Sequence, residues 1–420
     1  MTEKRGSRCD WLIGAAVAIL LWGCTATQAA AAPQAAPEFY RDVLPILQEN
    51  CQACHRINGA NMGGMIAPMS LVTYEDTRRW STKMAERVST RSMPPWYASE
   101  IHNGQFRNER TLTDNQISTL VRWAESGAAS GDPKDAPPPV KFPDSEWSFG
   151  EPDLVVPIPE PYFVEDDVKD LYVTLVGRIT EEMLPEPRWI RATQVRPNEA
   201  VHHVVSNLAG QTPGMGAKVF REGFGQLVSP GDIVGWQLHY NKEAGPGTGL
   251  WDETTSINLQ FHPVGYEPTC QTGADAMGNY TFRIPAGDPN YAAKSEFTFP
   301  TDAYIISYFP HMHLRGKEMK IVAYYPDGSE EIVLHVPKYD FNWQTVYEYE
   351  EFKFVPAGTR LETTGWFDNS AANPHNPDPT VDVTGPTFLG EAVPTHREMM
   401  YSLVTYTPVP SASGEACDGR

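Results

Sequence analysis

Gly131-Asp132-Pro133-Lys134-Asp135-Ala136-Pro137-Pro138-Pro139 divides the sequence into two parts that read with different periods. Its prolines fix φ and favour a stiff, extended connection. Downstream the reading turns from helical to alternating, and Leu171-Tyr172-Val173-Thr174-Leu175-Val176, Ile257-Asn258-Leu259-Gln260-Phe261 and Ile321-Val322-Ala323-Tyr324-Tyr325 are strand-like in composition. A period of two marks a strand with one buried face. Turn residues such as Pro326-Asp327-Gly328 punctuate the runs. Many short strands with few helices predict all-β sandwiches. The stretch of about 270 residues is too long for one small sandwich. Two are expected, over residues 145–275 and 276–410, with a short tail at 411–420.

Upstream the period is helical. Phe39-Tyr40-Arg41-Asp42-Val43-Leu44-Pro45-Ile46-Leu47 places its apolar residues on one helix face. Thr113 followed by Gln116 is a capping box. It opens an amphipathic helix through Ile117, Leu120, Val121 and Trp123, which should stop at Gly127. A small all-α module is therefore expected over residues 37–132, joined to the β region by a proline-rich linker at 133–144.

The 420 residues carry a net charge of −20, with 41% hydrophobic and 20% charged side chains, which is the balance of a globular protein. The acidic pI of about 4.9 excludes nucleic acid as a partner, because phosphate binding needs clustered Lys and Arg. Residues 1–32 read as an export signal. Lys4, Arg5 and Arg8 precede the apolar run Trp11–Gly23, which falls short of the ~20 residues that a spanning helix needs. Two cleavage readings stand side by side: a lipoprotein box, Leu21-Trp22-Gly23-Cys24, and ordinary cleavage in Ala29–Ala32. Either predicts export, to the periplasm in a bacterium, with a lipid on Cys24 as the only membrane tie. Cys9 and Cys24 fall in the signal. Cys270 and Cys417 remain as an even pair in an oxidising compartment, either bridged or as two unrelated thiols.

Cys51-Gln52-Ala53-Cys54-His55 is the attachment signature of c-type haem. Two thiols on one turn can add to two porphyrin vinyl groups, and the next residue offers imidazole to the iron. A redox Cys-x-x-Cys or half of a zinc site is the rival reading, but the sequence has no second Cys-x-x-Cys for zinc. Met93 in Ser92-Met93-Pro94-Pro95-Trp96 is the expected sixth ligand, since two prolines can hold its thioether over the haem face. Met62, Met65, Met69 and Met84 compete for that role, and His102 has no assigned one. This part of the chain resembles the cytochrome c family.

The histidines cluster in sequence. His202 and His203 are adjacent, His239 lies in Gln237-Leu238-His239-Tyr240, and His311 and His313 flank Met312. On a strand, residues i and i+2 share a face, so His311 and His313 can grip one metal ion. His202 and His203 can converge only at a bulge or a strand end. Imidazole suits Cu, Zn, Fe and Ni, and a methionine ligand tilts a site toward Cu(I).

In this order, followed by Glu398-Met399, these motifs resemble the copper type II monooxygenases, the group of the peptidylglycine α-hydroxylating and dopamine β-monooxygenases. The resemblance covers residues of about 145–410. It implies two jelly-roll-like copper domains and two separate, uncoupled copper sites. His202, His203 and His239 would form the site that takes up electrons, and His311, His313 and Met399 the site where dioxygen meets substrate. Met400 and His396 are neighbouring rivals to Met399, while His262, His335 and His375 match no ligand. Peptide-amidating members carry an arginine where this chain has Phe309 and a tyrosine where it has Leu403. Loss of the bidentate carboxylate partner argues against a glycine-extended peptide and for a more apolar or aromatic substrate. The implied activity is hydroxylation of a C–H bond of a small organic molecule by O2, with two copper ions and one covalent haem c. Its electrons would come through the haem from a periplasmic donor. The alternative is a non-catalytic haem and copper electron-transfer or copper-binding protein.

Overall fold

The computed structural model describes residues 35–60, 62, 64–142, 147, 149–387, 393–409 and 417–418. The expected export signal at 1–32, with Cys9 and Cys24, lies outside the described residues, as do positions 143–146 of the linker region and most of the tail.

Three helices form the first part: α1 (Leu44–Asn50), α2 (Tyr74–Ser89) and α3 (Asp114–Glu125). Thr113 caps α3 with the reciprocal bonds of a capping box to Gln116, and the chain leaves the helix through Gly127 at φ +96°. Thr73 caps α2 by accepting from the Asp76 amide at 3.1 Å. The apolar faces meet in a core of Phe39, Val43, Leu47, Leu120 and Trp123. Trp123 satisfies its indole N–H on the Ala129 carbonyl at 2.9 Å. Pro133–Asp135 forms one 3-10 turn of the linker, and Gln48 ties the linker to α1 through the Pro138 carbonyl at 3.1 Å.

Beyond the linker the chain is β-sandwich, with antiparallel pairing throughout the described strands. In the first sandwich one sheet runs Leu154–Pro157, Ser256–Phe261, Arg188–Arg196 and Lys218–Val219. The facing sheet runs Asp170–Arg178, Ile233–Asn241, Val201–Val205 and Gly210–Gln211. Ile190, Val195, Ile257 and Leu259 from one sheet pack on Val204, Val234, Trp236 and Leu238 from the other.

The second sandwich repeats this plan. One sheet is ordered Gly273–Gly278, Met400–Pro408, Ala303–Met312 and Tyr347–Val355. The other is ordered Tyr291–Thr298, Arg360–Phe367, Gly316–Tyr324 and Glu330–Val336. Ile305, Met312 and Val404 face Ile321, Leu334, Leu361 and Phe367 across its core. In Gly316–Tyr324 the buried residues are Met319, Ile321 and Ala323, the period of two that the sequence shows.

The helical part is seated on the second sandwich. Phe106 belongs to that sandwich's core, and Trp96 meets Tyr347 edge-on with ring centres 5.0 Å apart. The Ser99 amide donates to the His335 carbonyl at 2.8 Å, and Asn108 donates to the Val346 carbonyl at 2.6 Å. Among the described residues no helix is long and apolar enough to cross a membrane.

Cys270 and Cys417 form a disulfide with Cα atoms 5.7 Å apart, so of the two sequence readings the bridge holds. It ties the end of the chain to the segment between the sandwiches, across 147 residues. Replacing both cysteines by alanine should cost about 2–4 kcal/mol. Thermal unfolding of the oxidised protein and the double variant measures it, and equal midpoints would show the bridge to be stabilising nothing.

Candidate functional site

Two strands of the first sandwich deliver His202, His203 and His239, the first two from Val201–Val205 and the third from Ile233–Asn241. His203 and His239 are register partners on neighbouring strands, and the ladder is irregular between Val201 and His203. That irregularity lets two adjacent histidines turn the same way, as the sequence required. Their ring centres are 5.7 Å (202–203), 5.1 Å (202–239) and 4.6 Å (203–239) apart. From the second sandwich, His311 is the penultimate residue of the strand Ala303–Met312 and His313 follows that strand, their ring centres 5.2 Å apart. Two imidazoles on one tetrahedral ion, with metal–nitrogen bonds of about 2 Å, have ring centres about 5 Å apart. Both groups have that spacing.

The groups also meet. His203 and His311 lie 6.5 Å apart, so five imidazoles form one cluster at the junction of the sandwiches. Among the described residues, however, no three or more His, Cys, Asp and Glu side chains stand in the geometry of a formed metal site. The rings are gathered without their donor atoms being drawn onto one point.

The second ring nitrogens are engaged in an ordered way. His239 Nε2 pairs with Asp170, and His239 Nδ1 is buried with no partner. His311 Nδ1 meets Gln344 Oε1 at 2.7 Å, and His313 Nδ1 meets the Arg397 carbonyl at 3.2 Å. His313 Nε2, His202 Nε2 and His203 Nδ1 are buried without partners. A buried polar atom left unsatisfied costs about 1–3 kcal/mol, so stability alone does not account for four in one cluster. An outer partner on one nitrogen with the other turned inward is the arrangement that orients a metal-ligating histidine. The donor set therefore fits a metal that prefers nitrogen ligands.

Burial dominates the electrostatics. It lowers the pKa of His202 to about 3 and that of His311 to about 4, and it takes His203 and His313 well below the ordinary value of 6.5. Neighbouring imidazoles add to each shift. These four rings are neutral at pH 7, the form in which imidazole binds a metal. Asp170 moves the other way. Burial would raise its pKa, but hydrogen bonds from His239 and Thr395 take it down to about 2.

Register places the methionines. Met312 pairs with Met400 and His311 with Tyr401, and the same register carried one residue further sets Met399 opposite His313. Met400 turns the other way, into the core, where it and Met312 both press on Gly365. Met399, half-buried, stands directly before that strand, and alternation continued from Tyr401 would turn it to the histidine face. His396 is exposed, and only its carbonyl is used, accepting from Arg315 at 2.9 Å. Glu398 is fully buried and clamps the same turn by accepting from the amides of His313 at 2.9 Å and Arg315 at 2.6 Å.

The remaining histidines have other tasks. His262 stacks on Tyr266 and bonds the Phe224 carbonyl at 3.0 Å, His335 pairs with Glu318 at 2.9 Å, and His375 is exposed. His102 is buried beside Phe106, with Nδ1 3.2 Å from Gln105.

In the helical part, Cys51 closes α1 and the backbone turns directly, with Cys54 N and His55 N both donating to Cys51 O at 3.1 and 2.9 Å. The two thiols are not bridged, and His55 Nδ1 is buried without a partner. Burial, with Cys54 beside it, pushes the Cys51 thiol up to about 12. The two unbridged thiols and the unpartnered imidazole nitrogen fit a group attached through both sulfurs. Met93 is half-exposed and lines a cavity of about 80 Å3 with Val88, Trp96, Leu112 and Ile117, whose lining does not include Cys51, Cys54 or His55. Met62, by contrast, is buried with its sulfur 3.8 Å from Arg110.

Several functional candidates carry no motif. Tyr172 stacks on His239 at 4.1 Å, and Phe341 stacks on His202 at 4.6 Å. Asp170, which also accepts from Thr395 Oγ1 at 2.6 Å, and Gln344 are single polar residues in unremarkable stretches. Of these, only Asp170 had a local cue, as it opens the strand Asp170–Arg178 in an acidic run.

No family model and no curated protein matches this chain. Solved structures that it resembles include the major capsid protein of bacteriophage PM2, at 9% identity over 61% of this chain and 100% of that one, with a TM-score of 0.25. A Paenibacillus xanthan lyase matches at 10% identity over 67% and 28%, and the VP2 subviral particle of infectious bursal disease virus at 10% over 65% and 84%, each with a TM-score of 0.18.

The neutral imidazoles set a pH dependence. Their pKa values are lowered on folding, so below 6.5 the unfolded chain binds more protons and stability falls as pH drops toward 4 and 3. Melting of the metal-free protein should weaken over that window, and less so in His202→Gln. Identical pH profiles for the two would contradict the burial of a neutral ring at 202.

Proposed function

We propose that this chain is an exported copper-dependent monooxygenase of the type II family, hydroxylating a C–H bond of a small apolar or aromatic molecule with O2. In this reading the helical part is a c-type cytochrome module, the sandwiches are the two copper domains, and a periplasmic donor feeds the haem. The carrying observation is the convergence of five histidines, drawn from both sandwiches, four of them with a ring nitrogen buried and unpartnered.

Copper bound there would supply one electron per ion and a place for dioxygen. The protein's part is orientation. Asp170 and Gln344 hold the outer nitrogens of His239 and His311, so that Nδ1 of the first and Nε2 of the second are the ligating atoms. Glu398 fixes the turn that sets His313 opposite Met399. Phe341 covers His202 and comes within 5.9 Å of His313, excluding water from both groups.

The substrate class rests on one row of side chains. Phe309 and Leu403 are direct register partners, two residues along from the His311–Tyr401 pair and on the same face. Both are half-buried, whereas Tyr308 and Val404, which point the other way, are fully buried in the core. The two departures from the peptide-amidating pattern therefore adjoin each other beside His311 and offer an apolar contact surface.

Metal analysis should find two copper ions and one haem per chain, with oxygen uptake only when an apolar or aromatic substrate is added. Full metal content without uptake across such a panel would favour the non-catalytic electron-transfer protein. Asp170→Ala should weaken copper binding about 10–100-fold by freeing the His239 ring. A competitive titration giving the wild-type affinity would remove Asp170 from the site.

A further inference from the structure

The turn between the strands Glu330–Val336 and Tyr347–Val355 touches the helical part on one side and the histidines on the other. On the first side, Tyr97 donates to Asp340 Oδ2 at 3.2 Å, and the Arg110 guanidinium lies 5.9 Å from the Trp343 ring centre. Arg110 also contacts the Met62 sulfur at 3.8 Å, within the segment that follows His55. The Ala60 amide donates to the Ala53 carbonyl at 2.9 Å, which folds the segment carrying Met62 back onto the Cys-x-x-Cys-His turn. On the second side, Phe341 stacks on His202 with ring centres 4.6 Å apart, and Gln344 Oε1 meets His311 Nδ1 at 2.7 Å.

The turn is held firmly between these contacts. Within it, Asp340 accepts from the Asn342 and Trp343 amides, each at 2.9 Å, and Gln344 Nε2 donates to the Phe341 carbonyl at 2.8 Å. Outward, the Gln344 amide donates to Pro213 O at 2.7 Å, and Thr212 Oγ1 donates to Gln344 O at 2.5 Å. Gly214, at φ +94°, leaves the space for the indole, since a Cβ there would stand 2.9 Å from the Trp343 ring. An aromatic pair two residues apart thus lies between the Cys-x-x-Cys-His turn and the imidazole cluster.

We infer that Asp340–Thr345 is the electron relay of this chain, with Trp343 receiving from the side of Met62 and Arg110, and Phe341 and Gln344 delivering to His202 and His311. The inference rests on the haem and copper reading above. One electron leaves ferrous haem, which becomes ferric, and reduces one cupric ion at the imidazoles to cuprous, with no bond or proton transferred. The pathway is made of packed and hydrogen-bonded groups with no domain movement, so transfer is unimolecular and independent of protein concentration.

The test uses the full-length holoprotein with cupric ion bound, its haem reduced rapidly by a one-electron reductant, and haem reoxidation followed by absorbance without substrate. Trp343→Leu should slow reoxidation roughly tenfold while Trp343→Phe stays near wild type, with haem and copper contents unchanged in both. Reoxidation of fully loaded Trp343→Leu at the wild-type rate would overturn the relay and leave the haem and copper reading standing. A wild-type protein that takes up no haem or no copper would overturn both. Where Trp343→Leu fails to load, Arg110→Gln, which spares every bond within the turn, carries the comparison: slowed reoxidation supports the relay, and an unchanged rate overturns it.

Discussion

Five imidazoles gathered in a space that water scarcely reaches impose the governing constraint on this fold. Burial keeps four of them neutral, yet each ring still presents two polar nitrogens. One nitrogen of each of His239, His311 and His313 is taken by a carboxylate, an amide oxygen or a backbone carbonyl. Satisfying those nitrogens from outside forces Asp170, Gln344 and Arg397 into fixed positions on three separate segments. Those positions in turn dictate how the sandwiches meet.

The junction is accordingly polar where it touches the histidines and apolar elsewhere. Asp170 from the first sandwich reaches across to Thr395 of the second, so the residue that orients His239 also joins the two halves. Gln344 does the same from the other side, bonding His311 through its side chain and Thr212 and Pro213 through its backbone. Shifting one sandwich against the other would break the bonds that orient the rings. The geometry of the cluster is thus coupled to the packing of the domains, which is why positioning residues lie far from the histidines in sequence.

The helical part is joined to the same framework, not suspended from its linker. Phe106 fills the second sandwich's core, and Trp96, Tyr97 and Asn108 contact residues between 340 and 347. The stiff linker limits the reach of this part, and those contacts choose its seat. Contacts at 340–347 on one surface and at His202 and His311 on the other make a short segment the meeting point of all three parts.

Much of the architecture was legible because it follows local periodicities. The period-two runs at 171, 257 and 321 became strands, Thr113 and Gln116 capped their helix, and Gly127 ended the last turn. These outcomes depend on neighbouring residues, which a sequence displays directly. The histidine motifs were equally visible, including the need for an irregularity at 202 and 203. Cross-chain register decided part of what the motifs left open: Met400 faces the core, because antiparallel pairing with Met312 puts both on the side of Gly365. Neither Gln344 nor Phe341 has any local mark of its role, since hydrogen bonding and stacking between segments distant in sequence arise only on folding. The sequence by itself determined the elements and the chemical kinds of side chain available, through spacing and residue type. Only the tertiary structure decided which of them meet, because burial and contact between distant segments are properties of the packed chain.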